Sequence, residues 1–419
     1  MEETDSIGAS RETVLVLLGG EKNIESKVEF APVTEPRWRA RAARRAPGVT
    51  SHTVLIVAGT RPECIKLAPV IHAIAARADI ETIVVNSGQH VVAVRRMFDG
   101  FGIDCDVTVS SDGFAPNLVT AVRRMTQRLH DVIIATHPAM VLVQGDTLTA
   151  YAGARAAHAA GVPLIHVEAG LRAPTVADPF PEEWFRRRIA RCSDLHFAPC
   201  ASAARNLRDE GIDPRTIHLV GNTGIDSLRA LLATLPPPSK PPESMPHVLV
   251  TLHRRENWDG NADVVCDALL ALAAAHPALR FVLPVHPNPR IATRLRRRLG
   301  PHPRFDLVAP MEYRNFVAMA ATAQLLISDS GGIQEEAPHL GVPLLVPRTC
   351  TERPEGVATG FVRLVAIDRD AIVAAATAML AAPRRAGLPF DHHAPFGAGD
   401  AAQRIVGVLA ALVAEAVAA

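Results

Sequence analysis

Short runs of Val, Ile and Leu alternate along the chain with longer stretches rich in Ala, Leu and Arg. In the first half the apolar runs are TVLIVAG, ETIVVNSG, MVLVQGD, VPLIHVEAG and DLHFAPC. Each run is short enough for a buried strand, and the segments between them are long enough for crossover helices. This pattern predicts an α/β fold with a parallel, doubly wound sheet.

The pattern breaks at LLATLPPPSKPPESMP, because proline continues neither a helix nor a central strand, and it resumes with HVLVTLH, RFVLPVH, QLLISD and VPLLVP. We therefore predict two Rossmann-like domains, residues 51–235 and 245–395, with a ligand cleft between them where strand ends face each other. Residues 396–419 are predicted to form a helix that packs back toward the first domain. Residues 1–50 fit neither domain; a disordered extension is predicted, and binding of an acidic partner through RWRARAARRAPG is the alternative.

Composition narrows the class of protein. The chain has 44 Lys and Arg against 43 Asp and Glu, so its formal net charge of +1 gives no general attraction to nucleic acid or to an anionic membrane. The six cysteines form neither a CxxC pair nor a finger pattern, which indicates reduced thiols. No apolar run approaches the roughly 20 residues that span a bilayer, and the N-terminus lacks the layout of a signal peptide. A cytoplasmic protein is predicted.

The segment VAGTRPECIKLAPVIHAI predicts an anion site. A glycine turn at the end of a strand leads into a helix whose first turns carry Arg61 and Lys66. Backbone N–H groups at such a helix start face an anion, and the two cations would suit a diphosphate. The segment matches neither GxGxxG nor GxxxxGK[ST], so an ordinary helix start with solvated charges is the alternative.

The segment LLISDSGGIQEEAPHLGVPLLVP repeats this arrangement in the second half. Ser330, Gly331 and Gly332 end a strand and open a helix, which predicts a second anion site. Glu336 lies one helical turn further on, where a carboxylate can accept hydrogen bonds from vicinal hydroxyl groups, as acids do with ribose. Two such turns, one in each predicted domain, favour a ligand with a diphosphate.

Three carboxylates are candidates for proton transfer. Asp146 and Glu168 each follow an apolar strand, where substrates bind in open α/β sheets, and Glu182 lies in the segment PFPEEWFRRR. Carboxylates gathered in a partly dry cleft raise one another's pKa, so one can act as an acid and another as a base. His253, at the end of VLVTLH, is a further candidate, although a lone histidine is often structural.

The motifs, taken in order, identify a resemblance. Over roughly residues 52–400 the chain resembles the non-hydrolysing UDP-N-acetylglucosamine 2-epimerases, through the motifs GTRPECIKLAPV, GQH, QGDT, HVEAGLR, PFPEE, GNTGID, HRREN, SDSGGIQEEAP and TERPE. The resemblance implies a GT-B architecture with the active site between its two domains, usually as a homodimer. It also implies that the substrates are UDP-GlcNAc and UDP-ManNAc.

The resemblance assigns roles to individual residues. The acid and base carboxylates fall on Asp146, Glu168 and Glu182, and an essential histidine falls on His253. The residues implied to bind the sugar nucleotide are Arg61, Lys66, Arg172, Arg186, Phe316, Ser330, Gly331, Gly332, Glu336 and Arg353. Among these, Phe316 is implied to pack near the uracil and Glu336 to bind the ribose, while Glu183 is left as a structural residue.

The chemistry of the sugar is consistent with these roles. The hydrogen on C2 of an N-acetylhexosamine has no adjacent carbonyl, so a carboxylate cannot remove it in one direct step. The family route solves this by eliminating UDP to give 2-acetamidoglucal and then adding UDP back, with protonation of C2 on the other face. The route needs no metal or redox cofactor. Three alternatives remain: a hydrolysing 2-epimerase that releases ManNAc, a GT-B glycosyltransferase, and a catalytically silent nucleotide-sugar-binding protein.

Some positions depart from the family pattern. Phe185 stands where the family usually has Asn, and Thr349 and Cys350 stand where an acid and a threonine are common. These changes leave open a reshaped sugar pocket, with a modified relative of UDP-GlcNAc as an alternative substrate. Ala115 and Pro116 replace residues of a second, allosteric UDP-GlcNAc site found in several bacterial members. Weak or absent allosteric activation is therefore expected.

Overall fold

The computed structural model describes residues 52–418 apart from 111–114, 116, 176–178, 236–245, 253, 255–257 and 259. Residues 1–50, Pro116, His253 and most of the proline-rich segment therefore lie outside the described residues. What the sequence indicates about them stays a prediction.

The described strands form two parallel sheets. The first contains seven strands in the order β3-β2-β1-β4-β5-β6-β7, and the second contains six in the order β10-β9-β8-β11-β12-β13. The strands are β1 (His52–Ala58), β2 (Ile80–Asn86), β3 (Val107–Thr108), β4 (Met140–Gln144), β5 (Leu164–Val167), β6 (Leu195–Ala198), β7 (Ile217–Leu219), β8 (His247–Thr251), β9 (Arg280–Pro284), β10 (Phe305–Val308), β11 (Leu325–Ser328), β12 (Leu344–Pro347) and β13 (Val362–Val365).

Helices connect these strands, as parallel pairing requires. They are α1 (Arg61–Ala75), α2 (Val91–Gly100), α3 (Leu118–Thr136), α4 (Leu148–Ala160), α5 (Glu182–Cys192), α6 (Ala201–Asp209), α7 (Thr223–Leu232), α8 (Gly260–Ala275), α9 (Pro289–Leu299), α10 (Tyr313–Thr322), α11 (Gly331–Leu340), α12 (Pro354–Ala358), α13 (Arg369–Ala381) and α14 (Ala401–Ala418). The predicted doubly wound α/β fold is confirmed, while the domain boundaries stay a prediction.

Strand β1 shows why the apolar runs are continuous. Val54 and Ile56 pack into one core cluster, and Leu55 and Val57 pack into another. Successive side chains of a strand point to opposite faces of the sheet, so helices on both faces require apolar residues at every position. All four side chains are fully buried.

Helix α10, which lies beside the second sheet, packs against residues of the first sheet. Tyr313 and Val317 of α10 belong to the same core cluster as Val54 of β1. The ring of Tyr313 also lies 6.3 Å from that of Phe101, which follows α2. A helix beside the second sheet is thereby packed into the core of the first.

The last helix returns to the first sheet. Ile405 and Leu409 of α14 are fully buried in the cluster that contains Leu67 of α1. None of the described helices combines the length and the apolar character that crossing a membrane requires.

Asp226 of α7 fixes the start of α14, and its loss is expected to destabilise the fold. Its carboxylate accepts hydrogen bonds from the backbone N–H groups of Ala402 at 2.8 Å and Ala401 at 3.2 Å. Burial raises the pKa of Asp226 to about 6, so the carboxylate is charged at pH 8. Because helix starts leave N–H groups without partners, Asp226→Ala should lower the free energy of unfolding at pH 8 by about 1–2 kcal/mol.

Denaturant unfolding at pH 8 would measure this loss. Asp370→Ala is the matched control, because Asp370 also lies in the first turn of a helix but its side chain is 83% exposed. Equal losses for the two variants would contradict the assignment.

Candidate active site

Two of the predicted acids lie where neighbouring strands of the first sheet end, at their carboxyl termini. Asp146 follows β4 after a single glycine, and Glu168 follows β5 directly. The two strands are neighbours in the sheet, so their ends meet. Glu168 has a φ of 65°, which is a left-handed conformation that costs a residue with a side chain about 1–3 kcal/mol. Such strain persists where the surroundings over-determine it, which occurs often at functional sites.

The Glu168 carboxylate is buried among donors. Oε2 accepts from Lys66 Nζ at 2.6 Å, and Oε1 accepts from Arg353 Nη2 at 3.0 Å. Gln144 Nε2 also donates to Oε2. Lys66 lies on α1 and Arg353 lies immediately before α12, so cations from both halves of the chain hold one carboxylate.

The charge of Glu168 is stabilised. Burial disfavours the ionised form, but Lys66 and Arg353 outweigh burial and hold the pKa of the carboxyl below its ordinary value. The expectation that the gathered carboxylates raise one another's pKa was wrong for Glu168. The physical reason is that cations are the nearest charged neighbours of this carboxylate.

Glu335 is a second buried acid beside the same cations. Its Oε1 accepts from Arg353 Nε at 2.5 Å, and its Oε2 lies 3.5 Å from Lys66 Nζ. Asn222 Nδ2 donates to Oε2 at 2.9 Å. Burial raises the pKa of Glu335. Glu335 was not among the residues predicted from the sequence. The signal that could have identified it is a pair of Glu residues, directly after Gln334, on a helix that follows a buried strand.

Arg186 connects Asp146 to the second half of the chain. Its guanidinium donates to Asp146, pairs with Glu183 at 2.9 Å, and lies 3.7 Å from Glu352. Glu183 is fully buried and also accepts from the backbone N–H of Ala173 at 2.9 Å. This carboxylate therefore orients Arg186.

Glu352 is surrounded by arginines. The ion pairs measure 2.6 Å to Arg254, 2.7 Å to Arg353 and 3.2 Å to Arg348, and Arg186 lies slightly further away. Burial opposes the charge of Glu352, but these guanidinium groups hold its pKa well below the ordinary value. Glu352 was not among the residues predicted from the sequence, because an acid between a polar residue and an arginine, as in TERPE, resembles a surface ion pair.

The second predicted anion turn lies against Arg353. Ser330 precedes α11, and Gly331 and Gly332 begin it. A Cβ on Gly331 would overlap the guanidinium of Arg353, whereas a Cβ on Gly332 would meet open space. Glycine at position 331 thus leaves room for the Arg353 guanidinium beside the start of a helix, and both features favour an anion there.

Two further predicted residues, Arg61 and Glu336, have hydrogen-bond partners near the start of α10. Arg61, from the first anion turn, donates to the backbone carbonyl of Met311 at 2.5 Å. Glu336 accepts a hydrogen bond from the Tyr313 hydroxyl at 2.9 Å. Burial raises the pKa of Glu336 to about 7. Arg61 thus contacts the second half of the chain, and Glu336 acts electrostatically with Glu335 and Lys66.

Three predicted residues take no part in the ion pairs and hydrogen bonds described above for Glu168, Glu335 and Glu352. Arg172 pairs with Glu210 at 2.7 Å. Glu182 is the first residue of α5 and is half-buried. Phe316 of α10 is half-buried and packs against core clusters of both sheets. Their roles toward a ligand, like that of His253, stay predictions.

Phe185 does not line the cluster. Its side chain is 2% exposed and its ring stacks on that of Tyr151, with centroids 4.7 Å apart. The expectation that Phe185 reshapes the sugar pocket was wrong, because this side chain fills the core between α5 and α4. Cys350 is half-buried and is a free thiol.

A family model described as UDP-N-acetylglucosamine 2-epimerase matches residues 72–410. The UDP-N-acetylglucosamine 2-epimerase of Escherichia coli K12 is 38% identical over 371 residues, which are 85% of this chain and 98% of that protein. The enzyme of the same name from Bacillus subtilis is 35% identical over 356 residues, which are 84% of this chain and 93% of that protein.

Solved structures show the same likeness. The UDP-GlcNAc 2-epimerase of Neisseria meningitidis, bound to UDP-GlcNAc, superposes with a TM-score of 0.79 at 34% identity, covering 85% of this chain and 99% of that one. The Methanocaldococcus jannaschii UDP-GlcNAc 2-epimerase, in complex with UDP-GlcNAc and UDP, gives a TM-score of 0.76 at 29% identity, with coverage of 85% and 99%.

Proposed function

Since the chain belongs to the UDP-N-acetylglucosamine 2-epimerase family, we propose that it interconverts UDP-GlcNAc and UDP-ManNAc in the cleft beside Glu168. The observation that carries this proposal is the position of Glu168, a charged carboxylate held between Lys66 and Arg353. The GT-B architecture expected from the resemblance is supported by the solved structures.

In the first step of the proposed reaction a carboxylate removes the proton from C2. The electron pair of the C2–H bond forms the C1=C2 double bond, the C1–O bond to UDP breaks, and UDP leaves as an anion. Well-placed acid and base groups each contribute about 10²–10⁴-fold to such a step. Glu168 suits the role of base, because Lys66 and Arg353 keep its carboxylate charged.

In the second step UDP adds back to C1, and a proton reaches C2 from the opposite face. Asp146 and Glu182 are the remaining carboxylates with predicted proton-transfer roles, and His253 is the predicted histidine. Asp146 is well placed for such a role, because it follows the strand next to β5 and pairs with Arg186.

The leaving diphosphate needs positive charge as it develops. Lys66 lies in the second turn of α1, and Arg353 lies against Gly331 at the start of α11. Arg186 and Arg353 both lie beside Glu352. Preorganised donors aimed at developing charge are usually the largest single contribution to catalysis. The cations that hold the carboxylates can therefore also bind the diphosphate.

UDP-GlcNAc is the proposed substrate because it is the sugar nucleotide named for the family to which the chain belongs. The departure from the family at Phe185 is buried against Tyr151, so it gives no reason to expect a modified sugar. The homodimer and the cytoplasmic location implied by the sequence stay predictions.

Proton NMR of the protein with UDP-GlcNAc in D₂O tests the proposal. The expected result is deuterium at C2 together with the anomeric signals of both UDP-sugars. Release of free ManNAc would assign the hydrolysing reaction instead, and the absence of any exchange would contradict epimerisation of this sugar.

A further inference from the structure

Glu168 and Glu335 share the same pair of cations. Lys66 Nζ lies 2.6 Å from Glu168 Oε2 and 3.5 Å from Glu335 Oε2. On the other side, Arg353 donates from Nη2 to Glu168 Oε1 at 3.0 Å and from Nε to Glu335 Oε1 at 2.5 Å. The four groups form a closed ring in which each carboxylate lies between two cations. We call these residues the charge ring.

The charge ring joins the two halves of the chain. Lys66 and Glu168 belong to the first sheet and its helices, whereas Glu335 and Arg353 belong to the second. All four side chains are nearly excluded from solvent, with exposed fractions of 10% or less. Screening by water is weak at such a site, so a change of one charge acts strongly on the others.

Asn222 fixes the orientation of Glu335. The Asn222 side chain accepts from the Gly224 N–H through Oδ1 at 2.8 Å, which leaves Nδ2 to donate to Glu335 Oε2 at 2.9 Å. Glu335 Oε1 accepts from Arg353. Both oxygens thus face donors, an environment that suits a carboxylate which accepts hydrogen bonds and does not donate one.

We propose that Glu335 is a positioning residue for the epimerisation: it holds Lys66 and Arg353 in place and offsets part of their charge, so that Glu168 keeps enough affinity for the C2 proton. This inference rests on the proposed function of the cluster. Without Glu335, the two cations would act undiminished on Glu168. The Glu168 carboxylate would then stay charged to a lower pH and would be a weaker base.

The other charged or titratable groups around the charge ring are few among the described residues. Arg186 of α5 acts on Glu168. Glu336 of α11 and Tyr313 of α10 act electrostatically with Glu335. Glu352 pairs with Arg353 at 2.7 Å. None of these groups joins Lys66 to Arg353, so Glu335 is the group whose charge most directly balances the two cations around Glu168.

Glu335→Gln tests the inference, because Gln keeps the shape and removes the charge. The rate of epimerisation of UDP-GlcNAc is measured against pH for the wild-type protein and the variant. A carboxylate that loses compensation for a neighbouring cation is expected to titrate about one to three pH units lower. The acidic limb of the kcat profile should therefore move to lower pH, and the maximal kcat should fall about 10-fold or more.

The Michaelis constant separates this role from a purely structural one. Lys66 and Arg353 remain present in Glu335→Gln, so KM for UDP-GlcNAc should be unchanged or lower while kcat falls. Glu335→Asp keeps the charge but shortens the side chain, so its acidic limb should move less than that of Glu335→Gln while kcat still falls. Glu312→Gln is a control for removing a negative charge, because Glu312 is exposed at the start of α10.

The inference is overturned if Glu335→Gln gives a pH profile with the wild-type shape and position, whatever its absolute rate. If Glu335→Gln does not fold, Glu335→Asp decides: its shorter side chain cannot reach both cations, so kcat should fall with KM unchanged, and an unchanged kcat would overturn the inference. A wild-type protein that fails to epimerise UDP-GlcNAc at every pH would contradict the proposed function itself, which is a separate outcome.

Discussion

Glu168→Gln is expected to lower the rate of deuterium exchange at C2 of UDP-GlcNAc by about 10²–10⁴-fold, the contribution of a well-placed general base. The amide cannot accept the proton. It also leaves Lys66 and Arg353 without one of their anionic partners. Proton NMR in D₂O measures this rate from the loss of the C2 proton signal of UDP-GlcNAc.

Binding of UDP is the control for this variant. Lys66, Arg353 and the turn that begins with Ser330 remain in place, so calorimetry should still detect UDP. Exchange at the wild-type rate would contradict the role of Glu168 as a base. Loss of both exchange and UDP binding would instead indicate that the site had collapsed.

The same exchange measurement can assign the two faces of the sugar. A variant that lacks the base for one epimer should leave that epimer without deuterium. The other epimer should still exchange, because it can eliminate UDP and take back a deuteron on its own face. Asp146→Asn and Glu182→Gln, each offered both UDP-sugars, would therefore show which carboxylate serves which face.

Glu352→Ala is expected to lower the free energy of unfolding by about 3–5 kcal/mol, the usual cost of removing one partner of a buried ion pair. Glu352 is 2% exposed and lies among Arg186, Arg254, Arg348 and Arg353. Its removal takes away a carboxylate that all four guanidinium groups share. Denaturant unfolding at pH 7, with Glu312→Gln as the exposed control, would measure the loss; a change as small as in the control would contradict it.

The effect should depend on pH in one direction. Because the folded-state pKa of Glu352 is depressed, its contribution to stability is present above the pKa of an unfolded Glu, at about 4.3, and is lost as the pH falls through the folded value. The difference in stability between the wild-type protein and Glu352→Ala should therefore be constant near neutral pH and should shrink in strongly acidic solution.

The strands and the positions of Asp146 and Glu168 could be predicted from the sequence because their signals are local. An apolar run such as that of β1 records burial on both faces of the sheet at consecutive positions. Asp146 and Glu168 follow such runs, and strand ends of neighbouring strands necessarily meet.

Glu335 and Glu352 could not be identified in this way, because their partners are distant in sequence. Glu335 lies beside Lys66, and Glu352 lies beside Arg186, contacts that arise only when the two sheets pack together. The position of the Phe185 side chain could not be predicted for the same reason, since its stacking partner, Tyr151, is distant in sequence. Comparison with a family pattern indicated a changed residue, but only the structure shows that its ring points toward Tyr151 in the core.

The packing of α14 on α1 has a consequence for synthesis of the protein. The strands of the first sheet emerge from the ribosome long before the last helix does. The apolar face of α1 around Leu67 therefore stays uncovered until Ile405 and Leu409 have been synthesised. Exposed apolar surface on a partly made chain favours aggregation and the binding of chaperones. A nascent chain arrested before residue 400 should therefore be captured by a chaperone more readily than the completed protein, although its first sheet has already been translated.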